Sequence, residues 1–417
     1  MDVKPRCYDK VVQLIEKGVN IPNPLTLDIG DEVNPDYISG KDVTLYPGCR
    51  IYGEKTVVSG GVKIGHEAPV TIENCQLGYG VELKGGYFNH SILLEKVSMG
   101  SGAQVREGCI LEEEANGAHC VGLKQTILFP FVTLGSLINF CDCLMAGGTS
   151  RKDHSEVGSS YIHFNYTPDG DKTTASLIGD VPRGVMLNKP PIFLGGQGGI
   201  VGPVCIGYGN VVVAGSVLRN DYPEDNKLIV GKVHTPKIVN FTPRTYLNLG
   251  RIVANNILYL SNLMALEAWY QNVRSLFFDA QEFGHLLYKG LLDKLMLAKK
   301  ERIKRLQILA EKARPDLPKE RNGIREADGK KEFNERFFEI EKIFKDPCND
   351  DEIERYGDDF LSLFDKIKRG SETNYVAVIQ NLPTHISEKG TLWLQKIVDI
   401  YCRKAQIILP ALNMFNA

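Results

Sequence analysis

Residues 159–221 read SSYIHFNYTPDGDKTTASLIGDVPRGVMLNKPPIFLGGQGGIVGPVCIGYGNVVVAGSVLRND, and their spacing decides the fold. Leu177-Ile178-Gly179, Val204-Cys205-Ile206-Gly207, Val211-Val212 and Val217 recur on a spacing near six, with insertions. Six is not a helical period, and it is longer than the two-residue alternation of a single strand. It fits a chain that makes a short strand, turns and repeats, so that each coil buries its aliphatic residues on the coils above and below. The first half of the stretch, with Asn165-Tyr166 and Lys172, falls off the beat and offers polar groups instead.

Worked outward, the beat starts near residue 37. Val43, Cys49, Val57, Val62, Ile64, Val70, Leu77, Leu83, Met99 and Val105 follow at near-multiples of six. Gly48, Gly65, Gly78, Gly85, Gly100 and Gly108 mark expected turns, where glycine accepts a positive φ. Leu134-Gly135 resumes the beat after 117–130. The expected fold is mainly β: a left-handed parallel β-helix over 37–235, then an α-helical region over 240–417. Ahead of them, 1–36 reads as an N-terminal helix and linker. In that helix Val11, Val12, Leu14 and Ile15 share a side, and Pro22 and Pro24 end it. In the C-terminal region Val253, Ile257, Leu260, Met264 and Ala268 form one stripe, and Leu287, Leu291 and Leu295 another. Phe333, Phe337, Ile340 and Phe344, then Phe360, Leu363, Phe364 and Ile367, mark two further helical faces, with a last helix over 392–403. The cluster Lys299-Lys300-Glu301-Arg302-Lys304-Arg305 reads as a solvated helix face.

The 417 residues suffice for two or three domains. With 49 basic and 51 acidic side chains, the balance gives no argument for nucleic acid or a membrane surface as partner. No stretch reaches the length of a membrane span, and the N-terminus lacks a secretory apolar core. The 10 cysteines contain no CxxC pair and read as reduced, mostly buried thiols. A cytoplasmic protein is expected. No HExxH, Walker loop or metal-spaced His/Cys set is present.

The order Asn165-Tyr166, Gly170, Lys172, Ile178-Gly179-Asp180, Phe193-Leu194-Gly195, Val201-Gly202-Pro203-Val204 and Ala214-Gly215-Ser216-Val217 resembles one family. That family is the C-terminal acetyltransferase half of the bifunctional UDP-N-acetylglucosamine pyrophosphorylase/glucosamine-1-phosphate acetyltransferase. The resemblance implies a left-handed β-helix, a homotrimer with sites between subunits, and an amino-sugar phosphate or sugar nucleotide as ligand. It implies acetyl-CoA or another acyl-CoA as co-substrate, while no metal is evident in the sequence. Nothing ahead of residue 40 resembles the family's uridyltransferase loop, so that activity is not expected here.

Residue by residue, the resemblance places Asn165, Tyr166 and Lys172 against the sugar phosphate. Lysine offers a mobile point charge for a dianion, and Asn and Tyr offer directional hydrogen bonds. The plain alternative is that Asn165 with Asp169-Gly170 only makes a turn. Arg151 and Lys152 follow a Gly-rich turn that can hold phosphate, though exposed charge explains them equally. Lys124 falls near the family's basic segment. A general base must accept the amine proton, but Pro130 stands in the slot of the family's His. His163 and His154 are the substitutes, His163 slightly preferred because it sits two residues before Asn165. For acyl-CoA, Gly196 replaces a Ser, Ala214 matches an Ala, and Lys232 matches a phosphate-binding base. Two functions remain open: a transferase, and a sugar-nucleotide-binding, regulatory or structural protein that has lost the catalytic His.

Overall fold

A computed structural model describes residues 4–231, 236–238, 240–241, 243–244, 246, 248–313, 324–346, 350–368 and 374–415, with 324–327 described by backbone alone. The hexapeptide beat becomes a parallel β-helix, followed by α-helices, as the spacing predicts. Paired residues recur about 18 apart, three sixes, as with Ser91 to Cys109 and Ser98 to Asn116. The coil is therefore a three-sided prism. The first face stacks Asp28–Ile29, Arg50–Tyr52, Val70–Glu73, Gly86–Asn89 and Ala103–Val105, and continues to Val217–Leu218. The second runs from Val57–Val58 through Gln76–Leu77, Ser91–Leu93 and Cys109–Leu111 to Cys205–Ile206. The third is an unbroken sheet of 10 strands from Thr44–Leu45 to Leu228–Ile229. Two long strands, Gly122–Leu128 and Asn139–Met145, bend from the first face to the second at Gln125 and Asp142, whose φ values are 52° and 56°. The 117–130 region is thus a regular coil. Strands are recognisable ahead of residue 37, at Asp28–Ile29, and Thr235 lies outside the described residues.

The turn glycines divide into two kinds. Gly48, Gly65 and Gly108 have positive φ, as expected, whereas Gly78, Gly85 and Gly100 do not. What Gly100 provides is closeness: a Cβ there would lie 2.7 Å from the Ala118 carbonyl carbon of the next coil. The interior is ordered in rows. Leu77, Leu93, Leu111, Leu128, Met145 and Ile178 stack in register on the second face. Beside them Cys75, Ser91, Cys109, Thr126, Cys143 and Ser176 are all fully buried. Cysteines that look scattered in sequence thus share one small-side-chain row. Burial raises the Cys75, Cys109 and Cys143 thiols, so they are poor nucleophiles.

Helix α1 (Tyr8–Lys17) buries Val11 and Leu14 at the start of the coil, and α2 (Val181–Gly184) leaves it at a later turn. The C-terminal region comprises α3 (Leu249–Asn272), α4 (Gly284–Lys312), α5 (Ile324–Lys345), α6 (Asp351–Lys368), α7 (Tyr375–Gln380) and α8 (Thr384–Ile408). The expected stripes are real: Val253, Ile257 and Leu260 are buried, as are Leu287, Leu291 and Leu295. Both α3 and α4 pack on the second face, α4 over the Gln76, Ser91 and Cys109 strands and α3 beside Ser176–Ile178. The reason lies in the outward row of that face. Strand residues alternate sides, and opposite the interior row stand Ile92, Ile110, Ile127, Leu144 and Leu177, all buried. The third face instead turns Lys63, Glu82, Ser98, Asn116 and Thr133 outward, exposed or half-buried.

Lys294 is a cation buried at this seam. It lies on α4 and is 2% exposed, and among the described residues its Nζ reaches only the Asn74 carbonyl oxygen, at 3.5 Å. Burial lowers its pKa. A depressed lysine destabilises the fold while it is protonated, and the penalty fades as pH rises through its folded pKa. Lys294→Met should raise the unfolding free energy measured in urea at pH 7 by about 1 kcal/mol, with a smaller gain at alkaline pH. Equal or lower stability at pH 7 would contradict this.

Candidate functional site

Most of the described residues singled out in the sequence lie at three different corners of the prism. At the first corner, residues 165–175 leave the coil between Ile162–Phe164 and Ser176–Ile178. Asn165 and Lys172 are half-buried, and Tyr166 is 71% exposed. The loop is built around Asp171, which sequence reasoning passed over. One carboxylate oxygen accepts from the Thr173 amide (3.1 Å) and hydroxyl (2.7 Å). The other accepts from Thr167 (3.1 Å) and from the Tyr246 hydroxyl (3.2 Å). The Lys172 amide donates to Thr167 Oγ1 at 3.0 Å, and Lys172 itself holds a left-handed backbone, φ 57°. A lysine accepts that conformation only when its surroundings over-determine it. Among the described residues the Lys172 ammonium makes no ion pair.

The loop's other partners come from the C-terminal helices. Asn256 of α3 donates to the Thr173 carbonyl (3.1 Å), and Lys312 of α4 to the Asp169 carbonyl. Arg302 of α4 pairs with Asp142 at 2.5 Å and lies 3.5 Å from the Lys172 carbonyl oxygen. Arg302 is 2% exposed, which corrects the reading of 299–305 as a solvated face. Lys300 and Lys304 are exposed and keep to that reading, whereas Lys299 pairs with Glu267 and Arg305 with Glu301. Burial raises the Asp142 carboxyl even with Arg302 opposite.

At the second corner a hairpin, Gly148–Ser150 with Asp153–His154, folds back over the coil. Arg151 Nη1 donates to the Glu114 carbonyl (3.0 Å), the Phe131 carbonyl (3.0 Å) and Thr133 Oγ1 (2.9 Å), so this nitrogen braces the corner. Lys152 is exposed. His154 Nδ1 is 2.9 Å from the Arg151 carbonyl oxygen, with Nε2 3.9 Å from Glu156. A carbonyl can only accept, so Nδ1 carries the proton in the neutral ring and Nε2 holds the free lone pair. His163, in contrast, is 1% exposed and turned into the coil interior, where Nε2 bonds Ser176 Oγ at 2.8 Å. Burial, with Arg302 nearby, lowers its pKa to about 3. Strand alternation points His163 inward: it is aligned with Phe140 and Ile200 of the interior row.

At the third corner Gly196 and Ala214 belong to stacked turns, the Gly215 amide donating to the Gly196 carbonyl at 2.9 Å. A Cβ at Gly196 would lie 2.8 Å from the Ser159 carbonyl oxygen, so a serine does not fit this turn without movement. Lys232 lies outside the described residues. Lys124 sits on the first face, 2.5 Å from Glu107, beside a groove of about 500 Å³ lined by Gln104, Arg106, Cys120, Asn139 and Cys141. Among the described residues no helix is long and apolar enough to cross a membrane.

No protein-family model matches the chain. The bifunctional protein GlmU of Thermotoga maritima is 30% identical over 215 residues, 51% of this chain and 42% of the relative. GlmU of Fervidobacterium nodosum is 30% identical over 226 residues, 53% of this chain and 43% of the relative. The chain therefore spans less than half the length of these curated relatives. Among solved structures, LpxA from Acinetobacter baumannii aligns over 66% of this chain and 95% of its own, at 12% identity and a TM-score of 0.15. With its hexapeptide coils and its Asn-Tyr-Lys loop, this chain resembles the left-handed β-helix half of the bifunctional UDP-N-acetylglucosamine pyrophosphorylase/glucosamine-1-phosphate acetyltransferase, a hexapeptide-repeat transferase.

Proposed function

We propose that this hexapeptide-repeat transferase-like protein binds an amino-sugar phosphate or a UDP-N-acetylglucosamine-type sugar nucleotide at the first-corner loop. The observation that carries the reading is Lys172: a cation without an ion-pair partner among the described residues, on a backbone held fixed beside Asn165 and the exposed Tyr166. A fixed ammonium suits a phosphate dianion, and the tyrosine ring suits a sugar or base face.

A second copy completes the cleft in this reading. The chain's own helices cover the second face, which leaves the first and third for a neighbour. There Phe193, Val211 and Leu228 form an exposed apolar row in register, with Ile162 and Val217 exposed across the third corner. A cyclic head-to-tail trimer would set the Gly196 and Ala214 corner of one copy against the polar corners of the next. An acyl-CoA would lie along that third corner. Acyl transfer is the second reading, favoured by the free Nε2 of His154, which replaces His163 as candidate base.

Calorimetric titration with glucosamine 1-phosphate and UDP-N-acetylglucosamine tests the proposal. Lys172→Ala should weaken phosphate-bearing ligands about ten- to a hundredfold, the worth of a charge-assisted hydrogen bond. Lys172→Arg should recover part of it, and Lys304→Ala should change nothing. Equal affinity for wild type and both Lys172 variants would reduce the loop to a turn, and a monomer mass by light scattering would remove the second copy.

A further inference from the structure

The C-terminal region is additional to the resemblance, yet its helices and the segment leading into them touch the candidate loop at residue after residue. Asp169 receives Lys312 on its carbonyl and the Arg244 amide, at 2.9 Å, on its carboxylate. Asp171 receives Tyr246, Thr173 receives Asn256, and Arg302 lies under Lys172 while locked to Asp142 at the coil's bend. The coil itself supplies few such ties. Within the loop the Gly170 amide bonds the Thr167 carbonyl at 2.8 Å and the Lys172 amide bonds Thr167 Oγ1, both local turns. These turns and the Asp171 carboxylate tie the loop to itself, but they do not anchor its left-handed lysine to the rest of the fold. Two packed helices bonded to the carbonyls on either side of it provide that anchor.

We infer that α3 and α4 are the positioning element of the first-corner loop: Asn256 and Lys312 grip the carbonyls of Thr173 and Asp169 and hold Lys172 between them. Loop order and helix docking are then one linked equilibrium. A ligand that binds the ordered loop must tighten the helices by the same free energy. This ligand-linked part rests on the reading of the loop as a sugar-phosphate site, whereas the positioning itself does not.

Amide hydrogen exchange of the full chain separates the two. In Lys312→Met and Asn256→Ala, the Gly170 and Lys172 amides should exchange about tenfold faster, the effect of losing one such bond. Ile110 and Ile127 in the coil should keep wild-type rates, which certifies an intact fold. Lys312→Arg, which can still donate to the Asp169 carbonyl, should restore the loop amides. A role confined to general stability would instead move coil and loop amides together and gain nothing from the arginine. With saturating UDP-N-acetylglucosamine, the last turn of wild-type α4 should exchange more slowly. Unchanged loop amides in both variants overturn the inference, whatever the ligand does. Faster loop exchange in the variants, with no wild-type response to the sugar nucleotide, upholds positioning and defeats only the site reading.

Discussion

Ile110→Asp should release the helical region from the β-helix and cost more than about 4 kcal/mol, an exceptional loss for one substitution. Ile110 is 0% exposed, in the outward row of the second face, with Ile92 and Ile127 as its in-register neighbours and α4 packed on its strand. The change removes an apolar side chain worth about 2–5 kcal/mol on truncation. It also places a carboxylate where the neighbouring strand positions offer only aliphatic groups. Total stabilities of about 5–15 kcal/mol leave little margin for such a loss. Urea unfolding should show an early transition, and limited proteolysis should cut first in the helices. Asn116→Asp, the same charge on the open third face, should stay within about 0.5 kcal/mol of wild type. If the two variants behave alike, the helices do not depend on that row.

Arg274→Met should cost about 3–5 kcal/mol at neutral pH, the usual price of stranding a buried charge. Arg274, in the short turn just after α3, is 1% exposed. It bonds Glu113 at 2.6 Å, lies 3.7 Å over the Tyr375 ring and faces Phe278. Glu112 is buried beside it and accepts from the Tyr270 hydroxyl. Two carboxyls therefore share one guanidinium. Burial, with Glu113 adding to it, pushes Glu112 up from 4.5 to about 7 against the pull of Arg274. A carboxyl with a raised folded pKa contributes stability that is full below 4.5 and is lost as pH rises through about 7. Wild type should therefore lose stability across that window, and Glu112→Gln should flatten the loss. In Arg274→Met the deficit should shrink towards pH 5, as the stranded carboxyls take up protons. A deficit that is constant with pH would mean that lost ring packing, not charge, accounts for the effect.

The hexapeptide coil was legible because its rule is local. Each interior residue meets its counterpart one coil on, and a spacing near six repeats that contact wherever the chain is read. The helices were legible for the same reason: three- and four-residue stripes such as Val253, Ile257 and Leu260 decide the buried side of one element. One further signal was present and went unread. Ile92, Ile110, Ile127, Leu144 and Leu177 directly precede interior residues on successive coils, so that face is apolar on both sides and had to be covered.

What covers it, and where the polar groups end up, only the tertiary structure decided. Arg302 meets Asp142 across 160 residues, and Arg274 meets Glu113 across 161. No periodicity links positions that far apart, so a charge cluster on a helix looks solvated until the partner face is known. His163 went inward because register, not proximity to Asn165, sets the side of a strand. The residues gathered from one stretch, Arg151, Lys172 and Gly196, went to three corners because the chain turns through only part of a circuit between one and the next. Sequence neighbours share a coil; which corners stay open depends on how the helices pack against the prism.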